Sequence, residues 1–106
     1  MQFYKLEIFI SETHFSQLQK VLQDVDAGHI GDYDSCLSYS EVIGIWRPLD
    51  GSKPFSGEQN KVSQEKELKV EVRIKKDNLD KTIKAIKSVH PYETPMINII
   101  QLLNEE

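Results

Sequence analysis

Residues 68–75 alternate without exception between apolar and charged side chains. The apolar positions are Leu68, Val70, Val72 and Ile74, and the charged positions are Lys69, Glu71, Arg73 and Lys75. Because successive side chains of a strand point to opposite faces, this pattern predicts a strand with one face in the core and one in solvent. Residues 4–10 show the same period through Tyr4, Leu6, Ile8 and Ile10. Two such strands need a sheet that is covered on one face.

Two amphipathic helices are predicted to provide that cover. The first follows Ser11 or Thr13, either of which can cap its free amides, and Gly28 is predicted to end it. The second is predicted to begin at Asp77 as its N-cap. Apolar residues recur at three- and four-residue spacing along both segments. They are Phe15, Leu18, Leu22 and Val25 in the first, and Leu79, Ile83, Ile86 and Val89 in the second.

Two further segments complete the pattern of strands. Residues 34–49, which include Cys36, are predicted to form one or two short strands. Residues 96–103 are apolar on both alternating faces, as expected of a strand that is covered on each side or pressed against another subunit. The order is then β-α-β, an irregular excursion at about residues 40–65, and β-α-β. With right-handed crossovers, this order predicts an α+β, ferredoxin-like split βαβ fold with both helices on one face of an antiparallel sheet.

Length and charge restrict the classes of function. The chain has 106 residues, which is the size of a single domain, and we treat residues 1–106 as one. Its formal net charge is −4, and the lysines are interleaved with acidic residues instead of forming the basic stripe of a nucleic-acid binder. Its uninterrupted apolar runs are far shorter than the ~20 residues that cross a bilayer. We therefore expect no nucleic-acid partner and no membrane span.

The cysteine content and the start of the chain suggest a compartment. Cys36 is the single cysteine and cannot form an internal disulfide. The segment MQFYKLEIFI alternates charged and apolar residues instead of building an apolar export signal. A cytoplasmic location is the expectation.

The residue types that carry catalysis do not form a recognisable pattern. The three histidines, His14, His29 and His90, do not have a spacing that is diagnostic of a metal site. Whether His29 and His90 share a pocket is left open. Cys36 lies in a predicted strand, where a buried cysteine is more typical than a reactive thiol, and no G-x-S-x-G elbow is present. We expect no catalytic residue, no metal ligand and no cofactor.

Three loop segments hold most of the glycine, proline and histidine. Gly28 and Gly31 can turn backbone amides into a phosphate cradle, but the Walker and dinucleotide patterns are incomplete, which favours a helix end followed by a turn. Four aromatic residues lie in or beside the loops, and they either wall a ligand pocket or seal the loops against a neighbour. They are Tyr33, Trp46, Phe55 and Tyr92.

These three segments, in this order, resemble the domain inserted in many bacterial members of the Nif-three-like family of dinuclear-metal hexameric proteins. The matching residues are GHIGDY at 28–33, Cys36, RPLDG at 47–51, PF at 54–55, GE at 57–58 and HPYE at 90–93. The resemblance covers roughly Tyr4 to Leu103 and implies a fold similar to CutA and PII-like proteins. The domain that holds the family's metal ions is absent from this chain, so no metal ligand is carried over.

The resemblance also implies an assembly, because CutA relatives form trimers by pairing sheet edges between subunits. A homotrimer is therefore the preferred oligomer. We expect a non-catalytic PII/CutA-like module that binds a small ligand, an ion or a partner protein through its loops. The residues expected to bind are His29, Tyr33, Arg47, His90, Tyr92 and Glu93. Two alternatives stay open: a metal-dependent hydrolase, as the parent family's GTP cyclohydrolase-like label suggests, and a purely structural trimerisation module.

Overall fold

The computed structural model describes residues 2–103, in which four strands and two helices follow one another as β-α-β-β-α-β. The strands are β1 (Phe3–Ile10), β2 (Ser38–Trp46), β3 (Ser63–Lys75) and β4 (Ile97–Leu102), and the helices are α1 (Phe15–Asp24) and α2 (Leu79–Val89). A single 3₁₀ turn precedes each helix, at Glu12–His14 and at Lys76–Asn78. The element order predicted from the sequence is confirmed.

The strands form one antiparallel sheet in the order β2-β3-β1-β4. In the centre of this sheet Leu6 of β1 lies opposite Val72 of β3. Leu18 and Leu22 of α1 and Ile86 of α2 are buried in the same core. The sheet contributes Leu6, Ile8, Ile10, Leu68, Val70, Val72 and Ile74 to it. Both helices therefore cover one face, and the ferredoxin-like arrangement is confirmed.

The long strand β3 extends beyond the rest of the sheet. Residues 68–75 of β3 pair with β1, whereas residues 63–67 pair only with β2, so a two-stranded ribbon projects from one end. The hairpin between Trp46 and Ser63 leaves residues 47–62 outside the strands. The predicted excursion at about 40–65 was too wide, because both of its ends are paired backbone. The segment 34–49 contains one strand, and Cys36 lies in the loop before it instead of in a strand.

The end of α1 differs from the prediction. The helix ends before Gly28, through a Schellman motif in which Ala27 N–H donates to Leu22 O and Asp26 N–H donates to Gln23 O, at 2.9 and 3.0 Å. Asp26 takes the left-handed conformation of this motif, with φ of 58°. Aspartate tolerates that conformation better than most residues. The sequence reasoning assigned this role to Gly28 because glycine is the commoner choice.

The start of α2 also differs. Asp77 lies inside the 3₁₀ turn, and Asn78 occupies the N-cap position without a side-chain cap. Thr82 is fully buried and satisfies its hydroxyl group by donating to Asn78 O at 2.6 Å. Ser11 accepts a hydrogen bond from Thr13 N–H and so caps the 3₁₀ turn before α1, whereas His14 occupies the N-cap position of α1 itself without a side-chain cap. Neither helix, nor any other in residues 2–103, has the length and apolar content needed to cross a membrane.

Candidate functional site

A cleft of about 440 Å³ lies where the ribbon leaves the sheet. By register, Phe9 of β1, Trp46 of β2 and Glu67 of β3 share the sheet face that the helices leave open. The loop 47–62 and the segment 90–96 fold over this face and complete the cleft. Its lining residues are Phe9, Ile45, Trp46, Arg47, Pro48, Leu49, Ser52, Pro54, Phe55, Ser56, Glu65, Glu67, Tyr92, Glu93, Thr94 and Met96.

His90 anchors the HPYE segment from behind the cleft. Its Nε2 lies 2.8 Å from Phe9 O, and its Nδ1 accepts a hydrogen bond from Tyr92 N–H at 3.3 Å. One nitrogen faces an acceptor and the other a donor, which suits the neutral imidazole that is protonated on Nε2. Burial lowers the pKa of His90. The hydrogen bond to the Phe9 carbonyl group opposes this shift, and the charge of His14 adds to it. Both ring nitrogens of His90 are therefore engaged with backbone.

Tyr92 lies in the cleft and bonds across to the ribbon. Its hydroxyl group donates to Glu67 Oε2 at 2.8 Å. Gly44 makes room for this carboxylate, because a Cβ atom there would lie 2.4 Å from Glu67 Oε1. Burial, followed by the bond to Glu67 and the charges of Glu67 and Glu65, raises the pKa of Tyr92 well above its ordinary value. Tyr92 is thus a protonated donor at neutral pH.

Three contacts hold the loop 47–62 against the HPYE segment and the ribbon. Lys53 N–H donates to Glu93 Oε1 at 2.8 Å, and Trp46 Nε1 donates to Ser56 O at 3.3 Å. The rings of Phe55 and Tyr92 are 5.9 Å apart. These contacts keep aromatic groups at the wall of the cleft. Arg47 is exposed at the beginning of the same loop.

A second, shallower cavity of about 480 Å³ lies at the GHIGDY segment. His29 Nδ1 lies 3.0 Å from both carboxylate oxygens of Asp26, and His29 Nε2 lies 3.1 Å from Gly31 O. Since both ring nitrogens face acceptors, the protonated imidazolium fits this site best. The Asp26 carboxylate, by hydrogen bond and by charge, raises the pKa of His29. Tyr33 is 74% exposed beside it.

The six residues predicted to bind are divided between these two places. Arg47, Tyr92 and Glu93 line the cleft. His90 supports it from behind, and His29 and Tyr33 lie at the other cavity. Gly28 N–H bonds to Arg73 O, while the Tyr92 hydroxyl group bonds to Glu67. These two points are six residues apart on β3, roughly 20 Å at the rise of a strand. His29 and His90 therefore do not share a pocket within one chain.

The sequence reasoning missed the two carboxylates of the ribbon, Glu65 and Glu67. They lie at alternate positions on the open face of β3, three positions and one position before the clear alternation begins at Leu68. Gly44, which is opposite Glu65 and beside the carboxylate of Glu67, was the available signal that a side chain lies close to the backbone. In residues 2–103, no group of three or more His, Cys, Asp or Glu side chains lies close enough to hold a metal ion.

Comparison with protein families gives a partial match. Residues 58–105 match the family described as CutA1 divalent ion tolerance protein. In sequence, the chain is 36% identical over 102 residues to a Halalkalibacterium halodurans protein named GTP cyclohydrolase 1 type 2 homolog. That alignment covers 96% of this chain and 27% of the relative.

Solved structures give the same two similarities. A Bacillus cereus protein related to NIF3 has a TM-score of 0.85 and 31% identity, and the match covers 97% of this chain and 26% of that one. The periplasmic divalent cation tolerance protein CutA from Archaeoglobus fulgidus has a TM-score of 0.72 and 15% identity, with 98% and 87% covered. The CutA match shows a shared fold. The chain spans about a quarter of the length of the NIF3-related relatives.

Proposed function

We propose that this chain, which is a homologue of a CutA-like segment of NIF3-related proteins, is an oligomeric binding module without catalytic activity of its own. The cleft carries the proposal. It is in the size range of small-molecule sites, and its walls combine apolar rings with a few polar groups, as such sites do. Arg47, Tyr92 and Glu93 are the proposed contacts, and His90 positions Tyr92 through its two hydrogen bonds to backbone.

The edges of the sheet support the oligomer. The strand β4 is an edge strand, and its Ile99 and Ile100 are 48% and 39% exposed. At the other edge, Ile43 and Ile45 of β2 are 59% and 65% exposed. Strands whose outer edge is unpaired and whose apolar side chains are exposed favour association with another sheet edge. A β2 edge of one copy joined to a β4 edge of the next would make a closed ring, and a homotrimer is the ring we propose.

Association of subunits could also bring the His29 and Tyr33 site of one copy close to the cleft of another. His29 and Tyr33 lie next to the end of β3 that is remote from the cleft. Within one chain they cannot contact a ligand held by Tyr92, so their proposed binding role requires a cleft between subunits. The lone Cys36 is compatible with a reducing compartment, and the proposal places the protein in the cytoplasm.

The name of the relatives suggests a different function. Their printed name contains GTP cyclohydrolase, but the chain aligns with only 27% of the length of the first of them. We propose that this segment contributes binding or assembly to such proteins and that any hydrolytic chemistry resides elsewhere in them. A purely structural trimerisation role is the remaining alternative, and it predicts that the cleft stays empty.

Native mass spectrometry of the protein as purified tests the proposal, because it reports subunit number and retained small molecules together. We expect trimers that carry an additional mass, and we expect Tyr92→Ala to reduce the fraction that carries it, because Tyr92 forms part of the wall whatever the charge of the ligand. Tyr39→Ala is the matched control, since Tyr39 is an exposed tyrosine outside the cleft. Bare monomers from the wild-type protein would remove both the oligomer and the site. Trimers without any added mass would favour the structural role.

A further inference from the structure

The charge of the cleft is unbalanced. Three carboxylates line it, those of Glu65, Glu67 and Glu93, against the single guanidinium group of Arg47. Within residues 2–103, none of the three carboxylates has a Lys, Arg or His nitrogen within ion-pair distance, whereas Glu7 and Glu71 on the same sheet face pair with lysines. The cleft therefore keeps negative charge that the chain itself does not neutralise.

Neutral donors position these carboxylates. Tyr92 Oη donates to Glu67, Ser56 Oγ donates to Glu65, and Lys53 N–H donates to Glu93. Each bond occupies one oxygen of a carboxylate, which can accept more than one hydrogen bond. The other oxygen of each carboxylate can still accept a hydrogen bond from a ligand. A positively charged donor suits it best, because charge-assisted hydrogen bonds are stronger than neutral ones.

Aromatic rings form the other wall. Phe55 and Tyr92 lie with their centroids 5.9 Å apart and their planes 38° from parallel, and Trp46 lines the same cleft. The face of an aromatic ring attracts cations through its quadrupole, and it also packs against flat apolar groups. The raised pKa of Tyr92, to which the Glu67 and Glu65 carboxylates contribute after burial, is a sign of the same negative field.

From these observations we infer that the cleft takes an organic cation: an ammonium group beside Glu65 and Glu67, joined to an apolar or aromatic body that packs against the wall formed by Phe55, Tyr92 and Trp46. This inference rests on the proposed binding role of the cleft and names its ligand class. An anionic ligand would be attracted by Arg47 alone and repelled by three carboxylates, so the charge distribution opposes it.

Three small probes that share a phenyl ring and a two-carbon linker test the inference. Phenethylamine carries an ammonium group, 2-phenylethanol is its neutral counterpart, and 3-phenylpropionate carries a carboxylate. Trp46 is the only tryptophan of the chain and lies in the cleft, so its fluorescence reports binding directly. Chemical shifts of backbone amides locate each probe. The wild-type protein is compared with Glu67→Gln, which still accepts from Tyr92, and with Glu71→Gln, a control on the same strand and face outside the cleft.

We expect phenethylamine to bind about tenfold more tightly than 2-phenylethanol, from the sum of one ion pair and one cation–π contact. The carboxylate should bind most weakly, and added salt should weaken the amine. Glu67→Gln should lower the affinity for the amine about fivefold, whereas Glu71→Gln should leave it unchanged.

Other outcomes overturn the inference in distinguishable ways. If the alcohol or the carboxylate binds as tightly as the amine, the cleft is a binding site for another class of ligand, and the proposed function survives. Equal effects of Glu67→Gln and Glu71→Gln, or shifts located away from the cleft, would show that the amine does not use these carboxylates. If no probe changes Trp46 fluorescence, the ligand class is wrong, and the retained mass in native mass spectrometry separately decides the proposed function.

Discussion

Replacing Gly28 with alanine tests how the loop before β2 is attached to the sheet. Gly28 has φ of +82°, and a Cβ atom there would lie 2.1 Å from the carbonyl oxygen of Cys36. Such a contact is impossible without moving backbone. The backbone that must move carries two hydrogen bonds, from Gly28 N–H to Arg73 O at 2.9 Å and from Cys36 N–H to Gly28 O at 3.0 Å. These bonds connect the loop to the end of β3.

Gly51→Ala is a closely matched control for this change. Gly51 has φ of +86°, but a Cβ atom there would have no neighbour within 4 Å. Both substitutions place alanine in the left-handed region, at about 1–2 kcal/mol. Only Gly28→Ala also disturbs two backbone hydrogen bonds, each worth about 0.5–1.5 kcal/mol. We therefore expect losses in the free energy of unfolding of about 2–5 kcal/mol for Gly28→Ala and about 1–2 kcal/mol for Gly51→Ala.

Urea denaturation followed by circular dichroism and by Trp46 fluorescence measures both losses. The difference between the variants, about 1–3 kcal/mol, corresponds at its midpoint to roughly 10 °C in Tm for a domain of this size. Amide exchange at Cys36 should accelerate in Gly28→Ala and remain as in the wild type in Gly51→Ala. Equal losses from the two substitutions would refute the close approach of Gly28 and Cys36 and leave only backbone strain.

Two predictions concern the titration of the histidines. The Asp26 carboxylate raises the pKa of His29, so Asp26→Asn should lower that pKa towards 6.5 in an NMR titration. An unchanged pKa would contradict the contact between the two side chains. Burial lowers the pKa of His90, so its stabilising contribution is present above the unfolded value of 6.5 and is lost as the pH falls through the folded pKa. Wild-type Tm should therefore fall more than that of His90→Gln over this acidic range, and parallel curves would show that His90 is not held neutral.

The sheet and its core could be predicted because the information is local. The alternation in residues 4–10 and 68–75 determines which side chains face the helices, and the structure places them as the period requires. Helix ends were less predictable. Asp26 and Gly28 both have positive φ, at 58° and 82°, but only Asp26 belongs to the Schellman motif that ends α1. Gly28 instead allows the close approach to Cys36 later in the same loop, which the pattern of helix-ending residues does not indicate.

The cleft could be predicted only in part, because its walls come from segments far apart in the chain. The loop segments identify Arg47, Tyr92 and Glu93 as candidates by composition, and all three line it. Glu67 joins Tyr92 across 25 positions of sequence, and nothing in its sequence neighbourhood distinguishes it from the other carboxylates of β3. Its place in the cleft follows from the ribbon, whose length depends on how far β2 continues beyond residue 40.

The histidines show why the resemblance in the loop segments indicates a fold more strongly than a function. His90 gives both ring nitrogens to backbone, and His29 gives both of its nitrogens to Asp26 and Gly31. Glu93 gives one oxygen to Lys53 N–H. Side chains that look like binding groups by composition are thus largely engaged in shaping their own loops. The groups that remain available to a ligand are the ring faces, Arg47 and the carboxylates of the ribbon, and chains that share the loop segments can differ in what they bind by changing these alone.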